Sequence, residues 1–206
     1  MYTFTEPLSI GGLLLSFLVI LVVLVYGTYF FYRRKKILEL RKLPTMLIVG
    51  MSNTGKTFLI KALSENKPVF FDKILSLNYI DLDYNGKFVA RILDHIAFSS
   101  LQQSIDRNIV NEIKNIDPLA IIGVIDVSKY SEPLEKQVRF ISRMKEFFRD
   151  KPFFIVANKI DETSESKVKK IEKQFGKVYK VRWNVAEDVY TLKRDLFENL
   201  KKTLKE

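Results

Sequence analysis

The sequence predicts an α/β fold: a mostly parallel, doubly wound sheet with one antiparallel hairpin, preceded by a single transmembrane helix. Three observations predict it. After residue 45, apolar strand-like runs alternate with amphipathic helix-like stretches. The eight residues Gly50 to Thr57 read G-x-x-x-x-G-K-[ST] and sit between such a strand and such a helix. Near the N-terminus, no formal charge occurs between Glu6 and Arg33.

The elements follow in chain order. Residues 1–9 form a short segment expected on the lumenal side, and residues 10–32 the transmembrane helix. The 23 residues from Ile10 to Tyr32 are uncharged. At ~1.5 Å per residue they span roughly 35 Å, enough for a bilayer core of ~30 Å. Tyr26, Tyr29 and Tyr32 gather where an interfacial aromatic belt would sit, and Arg33-Arg34-Lys35-Lys36 follow. The positive-inside rule puts this end in the cytoplasm. A cleaved signal peptide would have a basic start, a shorter apolar stretch and a small-residue cleavage site. This segment has Glu6, runs longer, and ends in aromatics and bases. The basic cluster reads as an orientation signal, with contact to anionic lipid as a further role. Residues 33–44 are expected to form a basic juxtamembrane linker, and residues 45–206 the phosphate-loop domain.

In that domain, strand-like runs are Met46–Gly50, Ile74–Leu82, Phe88–Asp94, Leu119–Asp126, Phe153–Ala157 and Lys177–Trp183. Helix-like stretches are Lys56–Glu65, Ser99–Asn115, Pro133–Arg149, Ser164–Phe175 and Asp188–Leu204. In the last, Val189, Leu192, Leu196, Leu200 and Leu204 make one apolar stripe. Asn85-Gly86 between two strand runs signals a hairpin, so those strands are expected to be antiparallel and the rest joined by parallel crossovers.

Composition excludes several classes. There is no cysteine, so no disulfide framework and no thiolate metal site. The only histidine is His95, which rules out a multi-histidine metal centre and reads as structural. The net charge of +10 fits nucleic acid, an anionic membrane face or a ribosome-like partner, and equally a solvated surface.

The phosphate-loop pattern carries specific chemistry. Gly50 and Gly55 let backbone N–H groups approach phosphate without an intervening Cβ, and the following helix aims its N-terminus at the same anion. Lys56 is placed to reach the β- and γ-phosphates, and the Thr57 hydroxyl to ligate Mg²⁺. A nucleoside triphosphate is the expected ligand. The second motif, Asn158-Lys159-Ile160-Asp161, follows an apolar strand about a hundred residues later. A carboxylate such as Asp161 can accept hydrogen bonds from the guanine N1–H and exocyclic amine, which adenine cannot offer. A lysine stem stacked on the ring and an amide anchor would complete such a pocket, at strand carboxyl ends where sites form.

Together the two motifs resemble the small GTPase family over about Met46 to Glu206. The resemblance implies that family's fold, GTP as ligand and Mg²⁺ as its ion. It implies nucleotide contacts at Gly50, Ser52, Asn53, Thr54, Gly55, Lys56, Thr57 and Phe58, and at Asn158, Lys159 and Asp161. Val185-Ala186 matches the last guanine-contacting loop, assigning Ala186, and Asp126 sits where the family often places an Asp. The family's Asp-x-x-Gly element corresponds to Asp94-His95-Ile96-Ala97, which assigns Asp94 to Mg²⁺ and Ala97 to the γ-phosphate.

The pattern departs from the family at the hydrolysis elements. Ala97 replaces glycine, and Phe98 stands where Gln or His orients the attacking water. No threonine occurs between Phe58 and Asp94 to close over Mg²⁺, although Ser76 could substitute. The expectation is GTP binding with at most slow hydrolysis and no assigned catalytic residue. The layout of anchor, bases and nucleotide domain resembles the beta subunits of the signal recognition particle receptor. That resemblance implies GTP-dependent recruitment of the receptor's alpha subunit, and an endoplasmic reticulum membrane location with the domain cytoplasmic. It implies signal recognition particle or ribosome contact only indirectly, and no direct DNA binding. The alternatives are an Arf- or Sar-like cycling GTPase in membrane traffic, and a scaffold that has lost its nucleotide; the intact Gly50–Thr57 speaks against the last.

Overall fold

Strand β1, Thr45–Val49, is buried at every position, which only a sheet covered on both faces allows. In the computed structural model, which describes residues 10–65, 68–73, 75, 77–84, 87–95, 107–129, 131–182, 185 and 187–203, it lies in the middle of a seven-stranded sheet. The elements in chain order are helix α1 (Ile10–Arg41), β1, α2 (Lys56–Leu63), β2 (Phe70–Asp72), β3 (Leu77–Tyr84), β4 (Lys87–His95), α3 (Arg107–Ile116), β5 (Ala120–Asp126), α4 (Leu134–Phe147), β6 (Phe153–Asn158), α5 (Glu165–Phe175), β7 (Val178–Val181) and α6 (Asp188–Thr203). A short 3₁₀ turn, Ile160–Glu162, follows β6.

The sheet order is β2-β3-β4-β1-β5-β6-β7. β1 pairs in parallel with β4 on one side and β5 on the other, so the loop after β1 opens at the point where the winding reverses. Alternate residues of β1 face opposite layers. Met46 and Ile48 join Leu59, Ile60 and Leu63 of α2 and Leu192, Leu196 and Leu200 of α6. Leu47 and Val49 join Ile113 of α3, Ile141 and Met144 of α4, and Ile171 of α5. The expected stripe on α6 is this buried face: Val189, Leu192, Leu196 and Leu200 are all at most 2% exposed, each contributing about 1.5–3 kcal/mol of burial. Leu204 lies outside the described residues.

The doubly wound α/β architecture and the antiparallel β3–β4 pair agree with the sequence expectation; their register reaches Tyr84↔Lys87, and Asn85-Gly86 lies outside the described residues. Three details correct it. β2 is an additional edge strand, antiparallel to β3, so the sheet has two antiparallel pairings rather than one. β3 begins at Leu77 with Leu75 in a turn ahead of it, so the expected start at Ile74, itself outside the described residues, is not part of one continuous strand. Most consequentially, the expected linker over 33–44 is largely helical. α1 continues through Arg41, leaving three residues before β1. The stretch Lys35–Arg41 contains neither Gly nor Pro, and Ile37 and Leu40 have a surface to bury against: Leu40 is 7% exposed within the core layer that holds Ile113 and Ile116 of α3. Lys36 Nζ meets Asp72 Oδ2 of β2 at 2.5 Å. Upstream, Leu13 to Tyr32 carry their apolar side chains outward, and the helix is long and apolar enough to cross a membrane.

Candidate nucleotide site

The site is assembled at the carboxyl ends of β1, β4, β5 and β6. Strand β1 delivers the chain to Gly50, where no side chain fits: a Cβ would meet the Val124 carbonyl oxygen at 2.7 Å and Thr54 Oγ1 at 2.8 Å. The loop then turns through two left-handed residues, Asn53 (φ 61) and Gly55 (φ 86), before α2 begins at Lys56. Gly55 is the N-cap of α2 and supplies no side chain, so the helix's first N–H groups have no capping acceptor from it. An anion is the partner that such a terminus accommodates.

Lys56 is 6% exposed and folds back on the loop, donating to the carbonyls of Gly50 (3.1 Å) and Met51 (2.9 Å). Burial pulls its ammonium below the usual lysine range, while the charge of Asp94 acts in the other direction. Asp94, in β4, pairs in register with Ile48 and is 5% exposed. Burial pushes its carboxyl up; Lys56 and a hydrogen bond from Asn78 oppose this. One carboxylate oxygen, Asp94 Oδ1, is buried without a hydrogen-bond partner. A lone buried acceptor of this kind suits a cation, and Thr57, exposed in the first turn of α2, is the oxygen donor that the phosphate-loop pattern offers beside it, with phosphates and water to complete a Mg²⁺ shell. Among the described residues no cluster of three or more His, Cys, Asp or Glu side chains could hold a metal ion by itself. The ion would therefore be held jointly by Thr57, Asp94 and nucleotide, neutralising phosphate charge.

The second motif is bonded directly to the first. Asn158, 1% exposed at the end of β6, donates from Nδ2 to the Thr54 carbonyl at 2.9 Å, and Thr54 Oγ1 donates to the Met51 carbonyl at 3.0 Å. Asn158 Oδ1 is a second buried acceptor without a partner. Lys159 takes the left-handed conformation (φ 60), and its Nζ reaches Asp126 Oδ2 at 2.5 Å and the Asn53 carbonyl at 3.5 Å. That chain reversal sends Asp161 out on the 3₁₀ turn, where it is exposed to solvent. Ser52 and Asn53 are exposed at the rim of the loop, and Phe58 packs half-buried against the α2–α6 layer. Ala97, Phe98, Ser76 and Ala186 lie outside the described residues.

Asp126 belongs to the site through Lys159, and Gln137 is the residue that the sequence reading missed. Gln137 of α4 is 1% exposed. It accepts from the Asp126 N–H (2.8 Å) and donates to the carbonyls of Asp126 and Glu132 (2.8 Å each). Its signal was available: Gln137, Phe140, Ile141 and Met144 fall at core-facing helical spacing, and a glutamine there needs polar partners. Past β7, Arg182 and Asp188, which flank Ala186 in sequence, close a two-pronged pair (2.9 and 2.8 Å). An open cleft of about 580 Å³ lies beside the phosphate loop. It is lined by Ser52, Asn53, Asp126, Ser131, Glu132 and Lys159 among others, so it adjoins the site on the α4 side and does not include Lys56, Asp94 or Asn158.

Comparison with known proteins agrees with this geometry. The sequence profile of the family "Nucleolar GTP-binding protein 1 (NOG1)" matches residues 104–161, which end on the Asn158–Asp161 motif. Among curated proteins, the chain is 30% identical over 152 residues to the GTPase Obg of Persephonella marina, covering 68% of this chain and 44% of that protein. It is 28% identical over 177 residues to the GTPase Obg of Pseudothermotoga lettingae, covering 78% of this chain and 40% of that protein. The chain thus spans less than half the length of these relatives. Among solved structures, the G domain of the T. maritima FeoB iron transporter superposes with a TM-score of 0.53 at 21% identity, covering 77% of this chain and 96% of that one. The chain is thus similar in sequence to proteins named as a GTP-binding protein and as GTPases, and its fold is that of a G domain.

Proposed function

We propose that the chain binds GTP with Mg²⁺ and acts as a membrane-held, nucleotide-gated adaptor. The observation that carries GTP binding is the bond from Asn158 Nδ2 to the Thr54 carbonyl, which locks the base-recognition motif onto the phosphate loop. Asn158 Oδ1 and Asp94 Oδ1 are left as buried acceptors that base and metal would satisfy. Asp161 supplies guanine selectivity, and Lys56 and Thr57 hold the phosphates and the ion. α1 supports a membrane anchor through its length and its uncharged, outward-facing apolar side chains. Ala97 and Phe98 replace the residues that would sense the γ-phosphate through glycine and orient water, which favours slow turnover and an adaptor over a cycling enzyme.

The finer reading is a role like that of the signal recognition particle receptor beta subunit, in which the GTP-bound domain recruits a receptor alpha subunit at the endoplasmic reticulum membrane. It rests on layout alone, an N-terminal apolar helix and bases ahead of the domain. The test is a pull-down with the full chain in detergent, loaded with a non-hydrolysable GTP analogue or with GDP. Analogue-dependent recovery of a soluble receptor subunit supports it. Equal recovery in both states refutes nucleotide gating.

A further inference from the structure

Edge strands are usually blunted by charge, because an open row of N–H and C=O groups invites unwanted pairing. β2 is the outermost strand at its end of the sheet, and its residues are Phe70, Phe71 and Asp72. Its only charged residue is turned to α1, where Asp72 pairs with Lys36. The two phenylalanines are 47% and 52% exposed. Phe70 stacks on Tyr79 (centroids 5.4 Å apart), and Phe71, next in the strand, points to the opposite side of the sheet. The edge therefore presents aromatic side chains on both faces of its tip.

The position of this edge along α1 is what gives it meaning. Lys36 is four residues past Tyr32, about 6 Å along the helix axis. The Lys36–Asp72 contact thus holds β2 beside the last turns of α1 before the tyrosine belt begins. Because α1 runs without a break into the packed turn at Ile37 and Leu40, this height is set by a helix, not by a flexible tether. Around the same level stand Arg33, Arg34 and Lys35 on α1 and the exposed Lys73 just after β2.

We propose that Phe70 and Phe71 form a second membrane contact, inserting into the interface of the bilayer that α1 crosses while Lys73 and the α1 bases meet anionic headgroups. The inference rests on α1 being a transmembrane segment. Aromatic side chains favour the headgroup level, and interfacial apolar groups settle ~5–10 Å deep, within reach of an edge held next to the helix's exit. The contact would fix the orientation of the nucleotide domain against the membrane, presenting a defined face to a soluble partner.

The experiment reconstitutes the full chain, with its single tryptophan replaced (Trp183→Phe), into nanodiscs containing phosphatidylserine. Tryptophan reporters are introduced as Leu21→Trp, Phe70→Trp or Phe71→Trp, with lipids brominated near the headgroup end of the acyl chain as quencher for the β2 reporters and lipids brominated near the chain terminus as quencher for the mid-span Leu21→Trp. Binding of a fluorescent GTP analogue checks that each variant is folded. The expected result is quenching of the β2 reporters by about twofold, alongside quenching at Leu21→Trp. Quenching at Leu21→Trp with both β2 reporters unaffected would overturn the lipid contact, leave the span intact, and turn attention to a protein strand as the occupant of the edge. Absence of quenching at Leu21→Trp would overturn the span and this inference with it.

Discussion

At the carboxyl ends of β1, β4 and β6 the chain buries Lys56, Asp94 and Asn158 and leaves Asp94 Oδ1 and Asn158 Oδ1 without partners. At the corner where α1 meets β2 it does the reverse: Lys36 and Asp72 answer each other, and Ile37 and Leu40 are packed into the core layer. Both regions hold ionic groups close to apolar packing. A buried polar group without a partner costs about 1–3 kcal/mol, and two acceptors beside the phosphate loop are what a bound base and cation would satisfy. The α1–β2 corner asks for nothing within the chain, and its role is to fix geometry. Thr45 Oγ1 and Thr163 Oγ1 are also buried without a partner, so it is the convergence of Asp94 and Asn158 on the phosphate loop, not the missing partners alone, that marks the ligand site.

Breaking the first region is expected to give the largest effect. Lys56→Ala removes the buried ammonium, and GTP affinity measured with a fluorescent analogue should fall at least about 100-fold, the loss of ~3 kcal/mol of charge-assisted hydrogen bonding. Breaking the mount should instead be felt in stability. Leu40→Ala is expected to cost about 2–3 kcal/mol and lower Tm by roughly 5–10 °C in thermal unfolding, with GTP affinity of the folded fraction unchanged. A large loss of affinity would show that the two regions are not separable. Next, Asp161→Asn should lower the GTP-over-ATP preference by about tenfold, ~1.4 kcal/mol, in competition binding.

Asp94→Asn separates stability from function within the site. Burial raises the folded-state pKa of Asp94 above its usual 3.8, so the nucleotide-free protein loses stability as pH rises through that folded value. The amide removes this loss. The unliganded variant should be the more stable of the two at neutral pH by denaturant unfolding, while Mg²⁺-dependence of GTP binding disappears. The smallest effect belongs to Lys36→Met, about 0.5 kcal/mol, because the Lys36–Asp72 pair is partly open to solvent.

Much of this was legible in the sequence because it depends on local pattern. Gly50 to Thr57 and Asn158 to Asp161 identify their own backbone needs, and the structure brings them to hydrogen-bond distance. The α6 stripe was also written in periodicity, and the antiparallel β3–β4 pairing in the Asn85-Gly86 turn signal. What escaped depends on contacts distant in sequence. β2 has three residues and no alternation to read, and exists because β3 offers it an edge. The helical continuation of α1 to Arg41 is decided by Leu40 finding α3, some seventy residues away. Gln137 gains its role only when α4 is laid against the end of β5. The residues that replace the γ-phosphate and water-orienting groups, Ala97 and Phe98, are read from sequence alone.

The central claim is guanine-nucleotide binding, and isothermal titration of the full chain with GTP and ATP, with and without Mg²⁺, tests it most directly. The account predicts a single Mg²⁺-dependent GTP site with ATP at least about 100-fold weaker, a difference of ~2.7 kcal/mol. Equal affinity for the two nucleotides, or no heat with GTP and Mg²⁺, would contradict it.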